Sequence, residues 1–438
     1  MLAEILKVKI TEKRARIVQM LAEHSQIKIG EFYLSHLFNG ERQLELLVSD
    51  LSFVDEDGLQ IHAIPIRQVI RLLPKAESQE YPLTGGLYYF LLSGEMPGLD
   101  EAQSMEEEWK KRMILPDYVE NMLRSMPPDE HPMTMFSQSI LAMQSTSLFA
   151  RQYSDNLQKE DFWIPTLEDA LNLTARLPLI ASMIYNIKYR KGDRILPNPQ
   201  LDWSANFAHM VGKSWDRHYQ ELCRLFFILH SDQGIGNVSG HTAVLVNSAL
   251  SDIFYACSAA MNGLAGPLHG RANQDCLKWI LEIRDHFGGC PSAPELEAYI
   301  WEYLQRGKRI PGYGHPVIRK TDPRFTLQLE FGRKYLPQDE LFRIVELVYQ
   351  VAPQVLMKHS KVKNPYPNID AVSGSLQYHC GVHEFDFYPV LFGVGRVLGI
   401  TANLVWSRAL QMPLERPQSI TLDMLENKIR EPRRFSLN

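Results

Sequence analysis

The chain is poor in cysteine, and the five it has, Cys223, Cys257, Cys276, Cys290 and Cys380, are odd in number and widely spaced with no C-x-x-C pair. That excludes a disulfide framework and a zinc knuckle, and fits a reducing compartment. It also has little net charge: 46 Lys and Arg against 51 Asp and Glu leave −5, which gives no general reason to expect nucleic acid or an anionic membrane as partner. Internal repeats and low-complexity segments are absent. The amino terminus, "MLAEILKVKITEKRARIVQM", has no uninterrupted apolar stretch, no small-residue cleavage site, and acids at Glu4 and Glu12. It reads as an amphipathic first helix rather than a secretory or transit signal, and the expectation is a cytoplasmic chain, with the mitochondrial matrix as the alternative.

Long apolar runs are equally scarce. The one stretch long enough to cross a bilayer, Phe387 to Trp406, carries Arg396 at its middle and Asn403 beyond it, both expensive in lipid. It reads as a helix buried in a large core despite the G-x-x-x-G at Gly395 and Gly399.

What is present is mostly helical. Leu222, Leu225, Phe226 and Leu229 repeat at the spacing of a core-facing helix. "HTAVLVNSALSDIFYACSAAMNGLAG" has hardly any charge, which suits close helix packing or a subunit interface. A small hairpin is expected near residues 44–66, around the D-E-D-G turn. With 438 residues, two domains are expected. Clusters of Pro and Gly at "GGCPSAP", "RIPGYGHP" and "KNPYPN" mark 271–381 as a second domain between 1–270 and 382–438.

Four residues raise chemical questions. His269, in "AGPLHGRAN", precedes a helical pattern, so the helix dipole favours a neutral ring there. It can serve as a hydrogen-bond donor or simply bond a neighbouring backbone group. His315, in "RIPGYGHPVIRKTDPRF", sits in a glycine-bearing loop that is either a plain turn or a cleft wall. Asp370, in "KNPYPNIDAVSGSLQY", reads most simply as a helix cap. Arg396 must find an anion, either an acidic side chain or a bound carboxylate.

As a set, "NVSGHTAVLVNSALSDIFYACSAAMNGLAGPLHGRANQ", "PGYGHPVIRKTDPRF", "KNPYPNIDAVSG", "LFGVGRVLGI" and "WSRALQMPLERP" resemble citrate synthases of the eukaryotic type, in the same order, from about Leu83 to Pro417. The resemblance implies an all-α fold, with large and small helical domains around a cleft, and a homodimer. It implies condensation of acetyl-CoA with oxaloacetate and water to citrate and CoA, with no metal and no cofactor, acetyl-CoA being a substrate. By the same resemblance His269, His315 and Asp370 fall on catalytic positions. Arg324, Arg396 and Arg416 fall on oxaloacetate-binding ones, Arg416 reaching in from the other subunit. Arg319, Lys159 and Lys363 are its CoA contacts. Gln233 stands where the family has a substrate-binding histidine, Arg271 replaces a small or apolar residue after "LHG", and "QIHAI" replaces the family's "R-F-R-G-Y". Two rival readings go with it: a 2-methylcitrate synthase using propionyl-CoA, and a non-catalytic dimer that binds a metabolite.

Overall fold

The computed structural model describes residues 2–38, 44–190, 192, 194–359 and 364–430. Helices dominate, and the expected hairpin is part of a small antiparallel sheet, Ser52–Asp55, Gly58–Ile61 and Ile64–Pro65. Its first turn forms because the Asp55 carboxylate accepts from the amides of Asp57 (2.9 Å) and Gly58 (3.0 Å). Pairing of Phe53 with Gln60 then carries Ser52 into the protein, where it is buried.

At the centre lies the helix Tyr388–Ala409, part of a stretch, Phe385–Ala409, whose length and mean hydropathy of 1.4 would suit a membrane. It is instead wrapped by Thr84–Ser93, Pro132–Ala142, Trp163–Tyr185, Arg217–Leu229, Val238–Ser248 and Ile253–Leu264, and 89% of the apolar window is buried. Four of these neighbours begin at polar caps that satisfy their first amides: His131 to Met133, Asp216 to Tyr219, Asn237 to Gly240, and Asp252 to Phe254 and Tyr255.

Gly395 and Gly399 cut a notch in the central helix. A methyl group at Gly399 would lie 2.5 Å from Asp232 Cβ and 2.6 Å from the Ser231 carbonyl, and one at Gly395 3.2 Å from His230 Cβ. Only glycine lets the backbone at 230–233 cross the helix this closely. The G-x-x-x-G is a packing notch, and it sets Gln233 beside Arg396.

The helices Ala272–Phe287, Ala293–Gln305, Pro323–Tyr335, Glu340–Lys358 and Asp370–His379 pack on one another. Pro323–Tyr335 also touches Arg217–Leu229 and Ile66–Leu72, so this group meets the rest of the chain beside the notch. All five cysteines are free thiols, as their spacing implied.

Candidate active site

Three segments converge at the notch. The loop after Arg217–Leu229 is anchored by Asp232, whose carboxylate accepts from Ser52 Oγ (2.7 Å) and from the amide of Gln233 (2.9 Å). The loop at 312–318 is strapped to the stretch before Asp370. Gly314 N donates to Tyr366 O (2.9 Å), Asn368 N to Gly312 O (2.8 Å), and Asn368 Nδ2 to Gly314 O (3.0 Å). Gly312, at φ +76°, lies so close that a side chain would sit 2.7 Å from Cys276 Sγ and 2.8 Å from Ala371 Cα. These constraints hold His315 and Asp370 in one rigid piece of backbone.

His315 is half-buried, and its Nδ1 accepts from the amides of Val317 (3.1 Å) and Ile318 (3.0 Å). An amide can only donate, so the neutral ring carries its proton on Nε2, which points at Gln233 Nε2 across 3.3 Å. Burial and the neighbouring Arg324 push its pKa down to about 4. His269 has the opposite tautomer: its Nε2 accepts from Ser239 N (3.3 Å) and lies 2.9 Å from Ser239 Oγ, leaving Nδ1 as the protonated nitrogen. Burial, then Arg396, likewise push it down to about 4. Both rings are therefore neutral donors near neutral pH.

Asp370 opens its helix without capping it. The cap position is Ile369, and the amide of Asp370 is satisfied instead by Asn368 Oδ1 (3.0 Å), so the capping role read from the sequence is corrected. Its carboxyl makes no side-chain hydrogen bond among the described residues. Burial raises its pKa to about 6 against the pull of Arg324.

Arg396 is 1% exposed, and among the described residues it finds no carboxylate. Its Nη2 donates to Gln233 Oε1 at 3.4 Å, its plane lies 4.8 Å from the Phe392 ring, and Nε and Nη1 have no partner. Arg324, 2% exposed, is held by Asp322 through Nε and Nη2 (2.7 Å), which leaves its Nη1 edge for another group. Gln233 Nε2, His315 Nε2, Arg396 and Arg324 together are donors with too few acceptors. A buried cation that lacks a protein anion calls for a bound one.

The remaining sequence candidates lie apart from this cluster. Arg319 is exposed and donates to the carbonyls of His315, Pro316 and Ile318, bracing its own loop. Arg271 is exposed, 4.0 Å from Asp275. Lys159 begins an exposed single turn, Lys159–Asp161, and Arg416 is exposed on a segment without regular structure. Neither hydrogen-bonds to the cluster. Lys363 lies outside the described residues. Sequence reading missed Ser239, Asp232, Ser52 and Asn368, each of which has a partner far along the chain.

A carboxyl raised toward neutrality, two neutral imidazole donors and a pocket of unpaired cationic donors suit acid–base chemistry on an anionic substrate. The family model "Citrate synthase, C-terminal domain" matches residues 40–418. "Probable citrate synthase, mitochondrial" of Glossina morsitans morsitans is 43% identical over 98% of this chain and 93% of its own length. "Citrate synthase 4, mitochondrial" of Arabidopsis thaliana is 44% identical over 95% and 88%. The fold is shared with citrate synthase of the thermophilic archaeon Thermoplasma acidophilum, solved as a ternary complex with carboxymethyl coenzyme A and oxaloacetate. Its TM-score is 0.73 at 20% identity, covering 88% of this chain and 95% of that one.

The chain belongs to the citrate synthase family, and its activity is the family's, the condensation of acetyl-CoA with oxaloacetate. The expectation of a cytoplasmic chain is corrected: the curated relatives are mitochondrial enzymes, which points to the mitochondrial matrix.

Proposed function

We propose that Asp370 is the general base that takes the methyl proton of acetyl-CoA, while His269 donates from Nδ1 to the thioester carbonyl oxygen. The methyl group is a very weak acid, so its proton leaves only if the enolate oxygen is stabilised in the same step. The observation that carries this reading is the pairing of a carboxyl raised to about 6 with imidazoles lowered to about 4. Base and donors thus hold their working states together over a wide span around neutrality.

The enolate carbon then attacks the keto carbon of oxaloacetate, and His315, donating from Nε2, polarises the keto oxygen and protonates the new alkoxide. Arg396, the free edge of Arg324, the Gln233 amide and Arg416 of the other subunit bind the two carboxylates; guanidinium forks suit them better than ammonium groups would. Water cleaves the citryl thioester to citrate and CoA. Arg319, after turning from its loop, and Lys159 receive CoA phosphates. In this reading the enzyme is a homodimer, and residues 271–381 form a small domain that closes over oxaloacetate. No metal or further cofactor enters these steps.

Thiol release measured with acetyl-CoA and with propionyl-CoA, each with and without oxaloacetate, tests the assignment. Release with acetyl-CoA that needs oxaloacetate is expected. A preference for propionyl-CoA, or no release with either, would overturn it. Turnover is also expected to fall as pH drops through about 6, because protonated Asp370 accepts no proton while both histidines remain neutral. An acid limb only near pH 4 would contradict the assignment.

A further inference from the structure

Beyond the central helix the chain turns at Gln411, φ +55°, and residues 412–420 run without regular structure to the helix Leu422–Arg430, which buries nothing. Between residues 413 and 420, among the described residues, Glu415 alone is tied down. Its amide donates to Ser248 Oγ (3.1 Å), and its carboxylate accepts from His241 Nε2 (2.5 Å). Both partners belong to Val238–Ser248, seven residues and so nearly two turns apart on one face of that helix. Ser239, in the first turn of the same helix, holds His269. Glu415 is thereby fixed through backbone and side chain at once. Arg416 is exposed beside it, with no hydrogen bond or ion pair among the described residues.

We propose that His241 and Glu415, with Ser248, are positioning residues that hold residues 412–417 in register so that Arg416 reaches the oxaloacetate carboxylates in the partner subunit's site. This rests on the reading of Arg416 as an oxaloacetate ligand acting across the dimer. The pair is 39% and 30% exposed, so its direct contribution to stability is small. What its loss changes is where an otherwise untethered guanidinium sits. The consequence is felt in oxaloacetate binding rather than in the chemical step, which uses Asp370, His269 and His315.

The first test is steady-state kinetics of Glu415→Ala and Glu415→Gln. The alanine variant is expected to raise the KM for oxaloacetate about tenfold, with kcat held within about twofold. The glutamine variant, whose amide oxygen still accepts from His241, is expected to stay near the unaltered enzyme, a rescue that mere loss of surface charge would not give. An unchanged KM in Glu415→Ala, or a glutamine variant as impaired as the alanine one, would overturn the latch.

Mixed dimers locate the effect. When Asp370→Asn and Glu415→Ala share one chain and the other chain is unaltered, the single working site borrows the altered arm, and its KM for oxaloacetate should be raised. When the two substitutions are on different chains, the working site borrows an intact arm and should show a normal KM. The reverse pattern would overturn delivery to the partner and, with it, the cross-subunit reading of Arg416, while leaving the Glu415 clamp in place. An unchanged KM in both pairings would overturn the clamp itself.

Discussion

Asp370 carries a charge that its surroundings disfavour, because burial raises its pKa to about 6 from an ordinary 3.8. The folded state holds its proton to higher pH than the unfolded chain does, so this group's contribution to stability is full below pH 3.8 and is lost as pH rises through about 6. Asp370→Asn removes that dependence. The variant is expected to be more stable than the unaltered enzyme at about pH 8, by roughly 1 to 3 kcal/mol, and no more stable below about pH 4. Denaturant melts at both pH values check this, and an equal or lower stability at the higher pH would show that the carboxylate is better solvated than its packing implies. From its own neighbours in sequence Asp370 read as a cap, but Asn368, two residues before it, takes up its amide instead. The tautomer of His269 was equally illegible, being set by Ser239, a residue 30 positions away. Motif order named the histidines and arginines as candidates; the groups that aim the two imidazoles came only from the fold.

At the scale of the element, the central helix shows what composition could and could not say. Arg396 and Asn403 argued correctly for burial in protein, but the reason for Gly395 and Gly399 lies in the loop that crosses them. Gly399→Ala should push the 231–233 backbone off the helix, destabilising the protein by about 1 to 3 kcal/mol and weakening oxaloacetate binding as Gln233 moves from Arg396. Gly393 is the comparison. A methyl there meets the side chains of Phe136 (2.9 Å) and Met261 (3.0 Å), away from the substrate loop. Gly393→Ala should lower stability without raising the KM for oxaloacetate. Equal KM values in the two variants would remove the notch from the account of the site. The hairpin, by contrast, was legible because its turn is local: Asp55 and Gly58 suffice to make it.

At the scale of the whole molecule, the unpaired donors at the notch explain why oxaloacetate should bind first. In the proposed mechanism its carboxylates would supply the anions that Arg396 lacks, and drawing the 312–324 and 230–233 segments together would complete the acetyl-CoA site. Calorimetry with a stable acetyl-CoA analogue should show tighter binding once oxaloacetate is present, and equal affinity with and without it would exclude closure of this kind. The proline and glycine clusters suggested a second domain at 271–381, and five helices from that stretch do pack on one another. What the sequence did not disclose is that this group of helices brings His315 and Asp370 to the notch as one strapped unit. Everything proposed for the chemistry converges on one side chain. The most direct measurement is therefore oxaloacetate-dependent thiol release from acetyl-CoA by Asp370→Asn, with oxaloacetate binding followed in the same preparation. The account predicts turnover reduced by roughly 10²- to 10⁴-fold with oxaloacetate affinity retained. Turnover close to that of the unaltered enzyme, with oxaloacetate bound normally, would contradict it.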